Sequence, residues 1–355
     1  MKALILAGGT GSRLRPITFT RAKQLIPVAN KPILFYAIES IRDAGITDIG
    51  VIVGDTADEV MAALGDGSKW GVAITYIPQD APLGLAHAVK IAEEYMAGES
   101  FVMYLGDNLI ANGITTFIDE FRAGGCNAQI LLAHVPNASQ FGVAELAADG
   151  TIKRLVEKPV DPPSDLALVG VYLFDREVFR AVNAIQPSPR GELEITDAIQ
   201  WLVDNGYIVR PHVITGWWKD TGKLEDMLEA NRIMLDMISS EMLGEADASS
   251  RIHGRVKVGI GTTIVNSVVR GPAAIGEGCV IRDAYIGPYS SVHDGCAVIG
   301  SEIEHSILLP RARVENIGRR LSDSLMGCDA VVRRADGVPA ATRVMLGDKS
   351  EVEIV

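Results

Sequence analysis

A glycine-rich segment followed by basic residues stands near the start of the sequence. It reads Leu6-Ala-Gly-Gly-Thr-Gly-Ser-Arg-Leu14, so its glycines are Gly8, Gly9 and Gly11 and its cation is Arg13. Glycines let backbone N–H groups crowd around an anion, and Arg13 with the later Lys23 adds positive charge. This combination indicates a polyphosphate site, with a plain turn between a strand and a helix as the alternative. It is neither a P-loop nor a dinucleotide fingerprint, because the required lysine and third glycine are missing.

Two acidic residues could hold a metal ion near such a site. Asp107 follows the apolar run Phe101–Leu105, and Asp220 lies within Trp218-Lys-Asp-Thr-Gly222. A carboxylate at the end of a buried strand is well placed to bind Mg²⁺, which suits one or two carboxylates plus substrate phosphates. For an isolated Asp-Thr-Gly the alternative is a turn or a helix cap.

Composition restricts the classes of partner. The 355 residues carry 33 basic and 45 acidic side chains, a formal charge of -12. This balance argues against sequence-independent binding to nucleic acid or to an anionic membrane, because both depend on a basic surface. The apolar runs are too short for a membrane span, and the four cysteines are widely separated, so we expect a cytoplasmic protein without a disulfide framework.

Two patterns divide the chain. Up to about residue 230, short apolar runs alternate with amphipathic stretches, which predicts an α/β fold with a Rossmann-like, parallel or mixed sheet. Ligands of such sheets bind at the carboxyl ends of the strands. After the small, polar segment Gly244–Ser250, aliphatic residues recur in pairs six positions apart, as in Ile275 and Ile281, Ile286 and Val292, Leu308 and Val314, and Leu325 and Val331. This hexapeptide period predicts a parallel β-helix. We therefore expect domains at 1–243 and 244–355.

The order of several motifs resembles the nucleotidyltransferases that activate sugar 1-phosphates, and among them the branch that uses dTTP and glucose 1-phosphate. The resemblance covers about the first 235 residues, and the tail is similar to longer members that end in a left-handed β-helix. The matching segments are Leu6–Pro16, Lys23–Val28, Gln79–Ala86, Leu105–Asn108, Glu157–Pro159, Arg190–Asp197 and Trp218–Gly222.

The resemblance implies transfer of a thymidylyl group from dTTP to α-D-glucose 1-phosphate, with release of pyrophosphate and with Mg²⁺ as cofactor. This reaction is the first step toward dTDP-deoxysugars. The sugar phosphate is already ionised, so positioning and charge neutralisation suffice without a general base. The implied catalytic residues are Arg13 and Lys23, and the implied metal ligands are Asp107 and Asp220. The implied nucleotide contacts are Gly8, Gly9, Gly11, Gln79, Gly84 and Asp107, and the implied sugar-phosphate contacts are Gly142, Glu157, Lys158, Gly170 and Trp218.

Several alternatives stay open at this stage. UTP or an amino-sugar 1-phosphate could replace the expected substrates, because thymine and uracil differ by one methyl group. Phe141 and Lys219 stand where the short members usually carry tyrosine and leucine. Trp218 and its neighbour Trp217 could equally belong to a hydrophobic core. A non-catalytic homologue would be expected to lack one of the charged residues named above.

The tail adds two further expectations. His253, His293 and His305 lie in or near the predicted β-helix, a fold that carries acyltransferase activity in related bifunctional enzymes; a purely structural coil is the alternative. Stacked coils commonly associate side by side, so we expect a homo-oligomer, a trimer or a tetramer.

Overall fold

The computed structural model describes residues 1–335 and 344–353. The chain divides into two compact units. The first comprises Met1–Thr10, Ala22–Leu25 and Ile33–Asp220, and the second comprises Gly11–Arg21, Ile26–Pro32 and the chain from Thr221 onward. This division places two short N-terminal segments with the tail. The boundary expected between residues 243 and 244 stays a prediction, and 336–343 and 354–355 of the second predicted domain lie outside the described residues.

A nine-stranded mixed sheet forms the centre of the first unit. From one edge to the other its strands are Ile152–Glu157, Gly142–Leu146, Leu166–Phe174, Phe101–Leu105, Lys2–Leu6, Asp48–Val53 and Ala73–Pro78. The last four are parallel to one another, and Leu166–Phe174 runs antiparallel to its neighbours. A branch formed by Ala128–His134 and Val209–Val213 pairs with Leu166–Phe174. The predicted mixed α/β sheet is confirmed.

Helices cover this sheet and bury its apolar strands. The helices of the first unit are Ile33–Asp43, Ala57–Leu64, Leu85–Ile91, Glu93–Met96, Thr115–Arg122, Val178–Ala184 and Ile195–Asp204. Its short 3₁₀ turns are Lys23–Leu25, Ser68–Trp70 and Ala138–Gln140. The strand Leu166–Phe174 is buried along its whole length, as expected for a strand covered on both faces. Because the strands bury apolar side chains along most of their length, the polar candidate residues lie mainly in the segments at the strand ends.

Three stacks of short parallel strands form most of the second unit. The first stack is Glu241–Met242, Val256–Val258, Ala273–Ile275, Ser290–Val292, Ile307–Leu308 and Leu325–Met326. The second is Glu245–Ala246, Thr263–Val265, Val280–Arg282, Ala297–Ile299, Arg313–Glu315 and Val331–Arg333. The third is Arg251–His253, Val268–Arg270, Tyr285–Ile286, Glu302–Glu304 and Leu321–Ser322. Three parallel sheets made by successive turns of one chain confirm the predicted β-helix and fit its expected left-handed form.

The hexapeptide pattern locates the interior of the coils correctly except at the end. Ile281, Ile286 and Val292 are completely buried, as predicted. In the last coil the prediction that Leu325 and Val331 point inward is wrong. Leu308 pairs with Met326 and Val314 with Val332, so the irregular stretch after Val314 shifts the inward positions by one residue.

A buried asparagine joins a helix, a hairpin and the β-helix within the second unit. The helix Leu224–Asp236 carries Asn231, which is 1% exposed. Its Oδ1 accepts hydrogen bonds from the N–H of Ala29 at 2.8 Å and from Oγ of Ser291 at 2.6 Å. Its Nδ2 donates to the carbonyl of Tyr289 at 3.1 Å. These three partner atoms would lose a hydrogen bond if this side chain were removed.

The hairpin that Asn231 contacts has an unusual turn. Its strands Pro27–Val28 and Lys31–Pro32 are joined by Ala29 and Asn30, whose φ angles are 48° and 61°. Positive φ at both central residues defines a type I′ turn, which is unfavourable for alanine. Asn30 Nδ2 donates to the carbonyl of Val292 at 2.9 Å. Hydrogen bonds to the helix and to the β-helix therefore stabilise a turn that the local sequence disfavours.

We expect Asn231→Ala to lower the free energy of unfolding by about 2–4 kcal/mol, because it leaves polar groups of the hairpin and of the β-helix without partners. Chemical denaturation of the full chain measures this change. Arg232→Ala, at the exposed neighbouring position of the same helix, is the matched control and should stay within about 0.5 kcal/mol of the wild type. Equal losses in the two variants would contradict a special role for the buried amide.

None of the helices in residues 1–335 and 344–353 is long and apolar enough to cross a membrane. The four cysteines are free thiols, and Cys279 and Cys296 are buried in the β-helix.

Candidate functional site

The glycine loop after the first strand meets Lys23 and Gln79. Lys2–Leu6 is an interior strand of the sheet, so the loop that follows it lies at the carboxyl edge. A Cβ on Gly9 would lie only 2.9 Å from Cε and 3.2 Å from Nζ of Lys23. A Cβ on Gly8 would lie 3.4 Å from Oε1 of Gln79. The predicted phosphate loop, the predicted catalytic lysine and the predicted base-reading amide are therefore in contact.

Lys23 also pairs with the first predicted metal ligand. Its Nζ donates a hydrogen bond to Oδ2 of Asp107, a residue that is only 8% exposed. Burial alone would raise the pKa of Asp107, but the adjacent ammonium and the hydrogen bond from Asn108 outweigh it and hold that pKa below its ordinary value. The carboxylate is thus kept ionised, as a metal ligand must be.

Asn108 connects this carboxylate to two other predicted residues. Its Nδ2 donates to Oδ1 of Asp107 at 3.1 Å, and its Oδ1 accepts from Nε1 of Trp218 at 2.6 Å. The N–H of Gly170 donates to the same oxygen at 3.3 Å, and a Cβ on Gly170 would lie 2.6 Å from Asn108 Cγ. Sequence analysis placed Asn108 in a motif but gave it no role. The structure shows it as the residue that orients its neighbours.

A two-stranded sheet places the backbone of Asp220, the second predicted metal ligand, near that of Asp107. Asn108–Ile110 pairs antiparallel with Trp218–Asp220, and the register sets Asp220 opposite Asn108. The two carboxylates, far apart in sequence, therefore occupy neighbouring backbone positions. This pairing also accounts for Trp218, whose ring packs edge-on against Phe141 with the ring centroids 5.4 Å apart. Trp218 is thus a link between strands, and not a core residue alone.

A second group of predicted residues gathers at a neighbouring strand pair. Gly142 begins one strand, Glu157 ends the next, and the two are directly paired. A Cβ on Gly142 would lie 2.6 Å from Cγ2 of Thr196 and 3.0 Å from Oε2 of Glu157. Thr196 Oγ1 donates to Glu157 Oε2 at 3.2 Å. The absence of a side chain at Gly142 leaves the carboxylate accessible from this side.

Lys158 adds a cation beside that carboxylate. Its Nζ lies 3.6 Å from Glu157 Oε1, and its side chain is 42% exposed. Its backbone has a φ of 40° and its N–H donates to the carbonyl of Phe141 at 3.0 Å. Because an exposed ion pair of this kind contributes little to stability, the mobile ammonium is available to an anionic ligand.

Arg190 and Glu194 are functional candidates that sequence analysis did not single out. Arg190 Nη1 lies 3.3 Å from Glu157 Oε1 and 3.5 Å from Glu194 Oε1. Burial raises the pKa of Glu194, with a further contribution from the charge of Glu157. The signal was present in the matching segment Arg190–Asp197, where one arginine stands close to several carboxylates.

Gly84 allows two segments to touch. Its φ is 106°, and a Cβ there would lie 2.3 Å from the carbonyl oxygen of Leu193. Leu193 N–H donates to the carbonyl of Leu83 at 2.8 Å, and Ala86 N–H donates to that of Leu193 at 3.0 Å. Only glycine fits both this backbone angle and this contact.

Two predicted residues belong to the other unit. Gly11 has a φ of 62° and precedes the 3₁₀ turn Ser12–Leu14, which carries the exposed Arg13. Thr18 Oγ1 donates to the carbonyl of Gly11 at 2.7 Å, and the next turn is Ile17–Phe19. The first unit thus brings together the other predicted residues in two groups, and the roles of Gly11 and Arg13 stay predictions.

The two carboxylates fit a divalent cation whose coordination is completed by phosphate oxygens. Asp107 is buried with a pKa held below its ordinary value, and the backbone of Asp220 is paired with that of Asn108, the next residue along the chain. Within the described ranges no cluster of three or more histidine, cysteine, aspartate or glutamate side chains could hold a metal alone. Two carboxylates are too few for a closed protein site but suit Mg²⁺, which usually retains water and binds substrate phosphates.

Comparison with known proteins places the chain in a family. The family model described as nucleotidyl transferase matches residues 2–237. A glucose-1-phosphate thymidylyltransferase of Streptomyces griseus is 52% identical over 354 residues, and one of Streptomyces antibioticus is 55% identical over 355. Each alignment covers 100% of this chain and 99% of the relative. The low-salt glycan biosynthesis nucleotidyltransferase Agl11 of Haloferax volcanii is 46% identical, with both chains fully covered.

Solved structures agree with the sequence relatives. A Bacillus anthracis protein assigned as a glucose-1-phosphate thymidylyltransferase, solved with sucrose, matches with a TM-score of 0.64 and 37% identity. The match covers 68% of this chain and 98% of that one. A UDP-glucose pyrophosphorylase complexed with UDP-glucose matches with a TM-score of 0.59 and 26% identity, covering 67% and 99%. The chain belongs to the nucleotidyl transferase family, in the group whose full-length relatives are glucose-1-phosphate thymidylyltransferases.

Proposed function

We propose that this protein transfers a thymidylyl group from dTTP to α-D-glucose 1-phosphate and releases pyrophosphate. A phosphate oxygen of the sugar attacks the α-phosphorus, and the bond from that phosphorus to the bridging oxygen of the β-phosphate breaks. The observation that carries the proposal is the contact of Lys23 with both Gly9 and Asp107, beside the pairing that brings Asp220 to Asn108. Two full-length relatives named for this activity support the choice of substrates.

The predicted residues would have different roles in this reaction. Gly8, Gly9 and Lys23 would bind the triphosphate, with Gln79 and Gly84 at the base. Glu157 would accept hydrogen bonds from sugar hydroxyls, and Lys158 would hold the sugar's phosphate, with Gly142, Gly170 and Trp218 shaping the pocket. Arg13, with Gly11, would stabilise the leaving pyrophosphate. Because the attacking oxygen is ionised, these residues supply position and charge rather than a base.

A divalent metal completes the set. Enzymes of this family generally use one, and we propose Mg²⁺ held by Asp107 and Asp220. When bound, Mg²⁺ supplies charge neutralisation for the phosphates. Lys23 then has a second task, because it must exchange part of its contact with Asp107 for a phosphate oxygen when the nucleotide binds.

Pyrophosphate release across a grid of substrates tests the proposal. The grid combines dTTP, UTP, dCTP and ATP with the 1-phosphates of glucose, galactose and glucosamine. We expect the highest kcat/KM for dTTP with glucose 1-phosphate. UTP or glucosamine 1-phosphate as the preferred substrate would replace the substrates but keep the chemistry, and no release with any pair would contradict the function.

The tail and the cell compartment complete the proposal. We propose a cytoplasmic homo-oligomer, a trimer or a tetramer, ordered by the β-helix. Sedimentation of the full chain tests the number of subunits.

Two histidines of the β-helix are engaged with neighbouring residues. His293 is largely buried and its Nδ1 accepts a hydrogen bond from Asp294 N–H at 2.7 Å, while the ring of His305 packs against Tyr289. Incubation with acetyl-CoA and glucosamine 1-phosphate tests the alternative of acyl transfer.

A further inference from the structure

The side-chain amide of Gln79 has both of its N–H groups directed at neighbours in the protein. Its Nε2 lies 3.0 Å from Nδ1 of His87 and 3.4 Å from the carbonyl oxygen of Gly84. Its Oε1 lies on the other side, against the backbone of Gly8. The amide therefore presents an acceptor toward the glycine loop and turns its donors away from it.

The carbonyl of Gly84 favours one of the two orientations of the Gln79 amide. A carbonyl oxygen can only accept, so the nearer atom of Gln79 must be the nitrogen. This carbonyl is not free to turn away, because Gly84 lies against Leu193 and the flanking residues hydrogen bond to that residue's backbone. The contact is long for a hydrogen bond, and the stronger restraint comes from His87.

His87 reinforces this orientation only while its ring is neutral. Burial lowers the pKa of His87, the charge of Lys90 lowers it further, and Asp80 opposes them. A neutral imidazole carries one proton, so Nδ1 can accept from Gln79 when Nε2 of the ring holds the proton. His87 lies one turn into the helix Leu85–Ile91, which fixes the position of its ring relative to the strand end.

The orientation has a consequence for the base. Thymine and uracil carry an N–H at ring position 3, whereas cytosine carries an unprotonated nitrogen there. A fixed acceptor pairs with the N–H of thymine or uracil. Opposite cytosine it faces a second acceptor, which leaves two buried groups without a donor. We propose that His87 is a positioning residue that holds Gln79 as a hydrogen-bond acceptor, so that the site takes thymine or uracil nucleotides and rejects cytosine nucleotides.

This inference rests on the proposed function, since it takes Gln79 as the residue at the base. It also assigns a task to a histidine in an amphipathic helix, which otherwise would serve packing alone.

Two substitutions at His87 and one control at another histidine test it. His87→Leu removes the acceptor and keeps a bulky apolar side chain, and His87→Asn can return an acceptor oxygen near the place of Nδ1. His134→Leu, at an exposed histidine at the end of the strand Ala128–His134, is the control. We measure kcat/KM by pyrophosphate release with dTTP, UTP and dCTP at fixed glucose 1-phosphate, and unfolding temperature for each variant.

We expect His87→Leu to lower the ratio of kcat/KM for dTTP over dCTP by about 10–100-fold, the size of one hydrogen-bond mismatch. The ratio for dTTP over UTP should not change, because both bases carry the same N–H at ring position 3 and differ only in the methyl group at position 5. His87→Asn should restore most of the discrimination, and His134→Leu should leave all ratios unchanged. If His87→Leu folds poorly, the same ratios measured with His87→Ala serve instead.

An equal fall for all three nucleotides, or an unchanged dTTP over dCTP ratio in His87→Leu, would overturn the inference and leave the proposed function standing. A wild-type protein that turns over neither dTTP nor UTP would overturn both. The two failures are therefore distinguishable from the wild-type measurements alone.

Discussion

Replacement of Lys23 by methionine should lower kcat by about 10²–10⁴-fold, as expected for loss of one charge contact that stabilises the transition state. The ammonium lies against Gly9 and bonds to Asp107, so it is placed where a phosphate bound by the loop would meet a metal held by the carboxylate. Methionine keeps most of the apolar part of the side chain and removes the ammonium group. Steady-state pyrophosphate release with saturating substrates measures the change.

Two further variants separate this role from general damage. Lys23→Arg keeps the charge and should retain more activity than the methionine variant, although its planar head cannot occupy the same position. Lys153→Met removes an exposed lysine that pairs with Glu145 on the same sheet, and its kcat should stay near that of the wild type. A methionine variant at position 23 with near-normal kcat would contradict the assignment of Lys23.

The contacts of Lys23 also show why sequence motifs locate this site well. A parallel sheet brings the carboxyl ends of its strands to one edge, so the loop at Gly8 and Gly9, the segment at Asp107 and the strand end at Gln79 must converge once the strands are recognised. The chemistry of each residue type then narrows its role. Strand order therefore predicts that these segments share one edge of the sheet, whereas the role of Lys23 is implied by the family resemblance and stays a prediction.

Long-range polar contacts were not predictable in this way. Nothing in the hydrophobic period around Asn231 indicates that its amide bonds to Ala29 and Ser291. Asn108 and Arg190 were within recognised segments, but their tasks depend on which side chains lie opposite them in space. Periodicity gives the faces of elements, whereas a hydrogen-bond network needs the register and direction of several elements at once.

The β-helix shows the same limit in a regular structure. One irregular coil after Val314 changes which residue of the next strand points inward, so Met326 replaces Leu325 in the interior. A pattern with period six carries no information about the length of an insertion until the next coil is paired. The position of the stack was predictable, and its register after an interruption was not.

The proposed metal ligands give the second large expected effect. Asp107→Asn and Asp220→Asn should each raise the Mg²⁺ concentration for half-maximal activity by about tenfold or more and lower kcat, because a neutral amide is a weaker ligand for Mg²⁺ than a carboxylate. Titration of Mn²⁺ into the protein, followed by electron paramagnetic resonance, measures binding independently of turnover. Asp119→Asn, at an exposed acid on the helix Thr115–Arg122, should change neither quantity.

A double variant decides whether the two carboxylates share one ion. If Asp107 and Asp220 bind the same Mg²⁺, the second substitution should weaken metal binding much less than it does alone. The reason is that the ion is already lost after the first substitution. If Asp107 acts mainly through Lys23, Asp107→Asn should instead lower kcat with little change in Mn²⁺ affinity. Additive effects of the two substitutions on metal binding would show separate sites and would contradict the single ion on which the proposed catalysis depends.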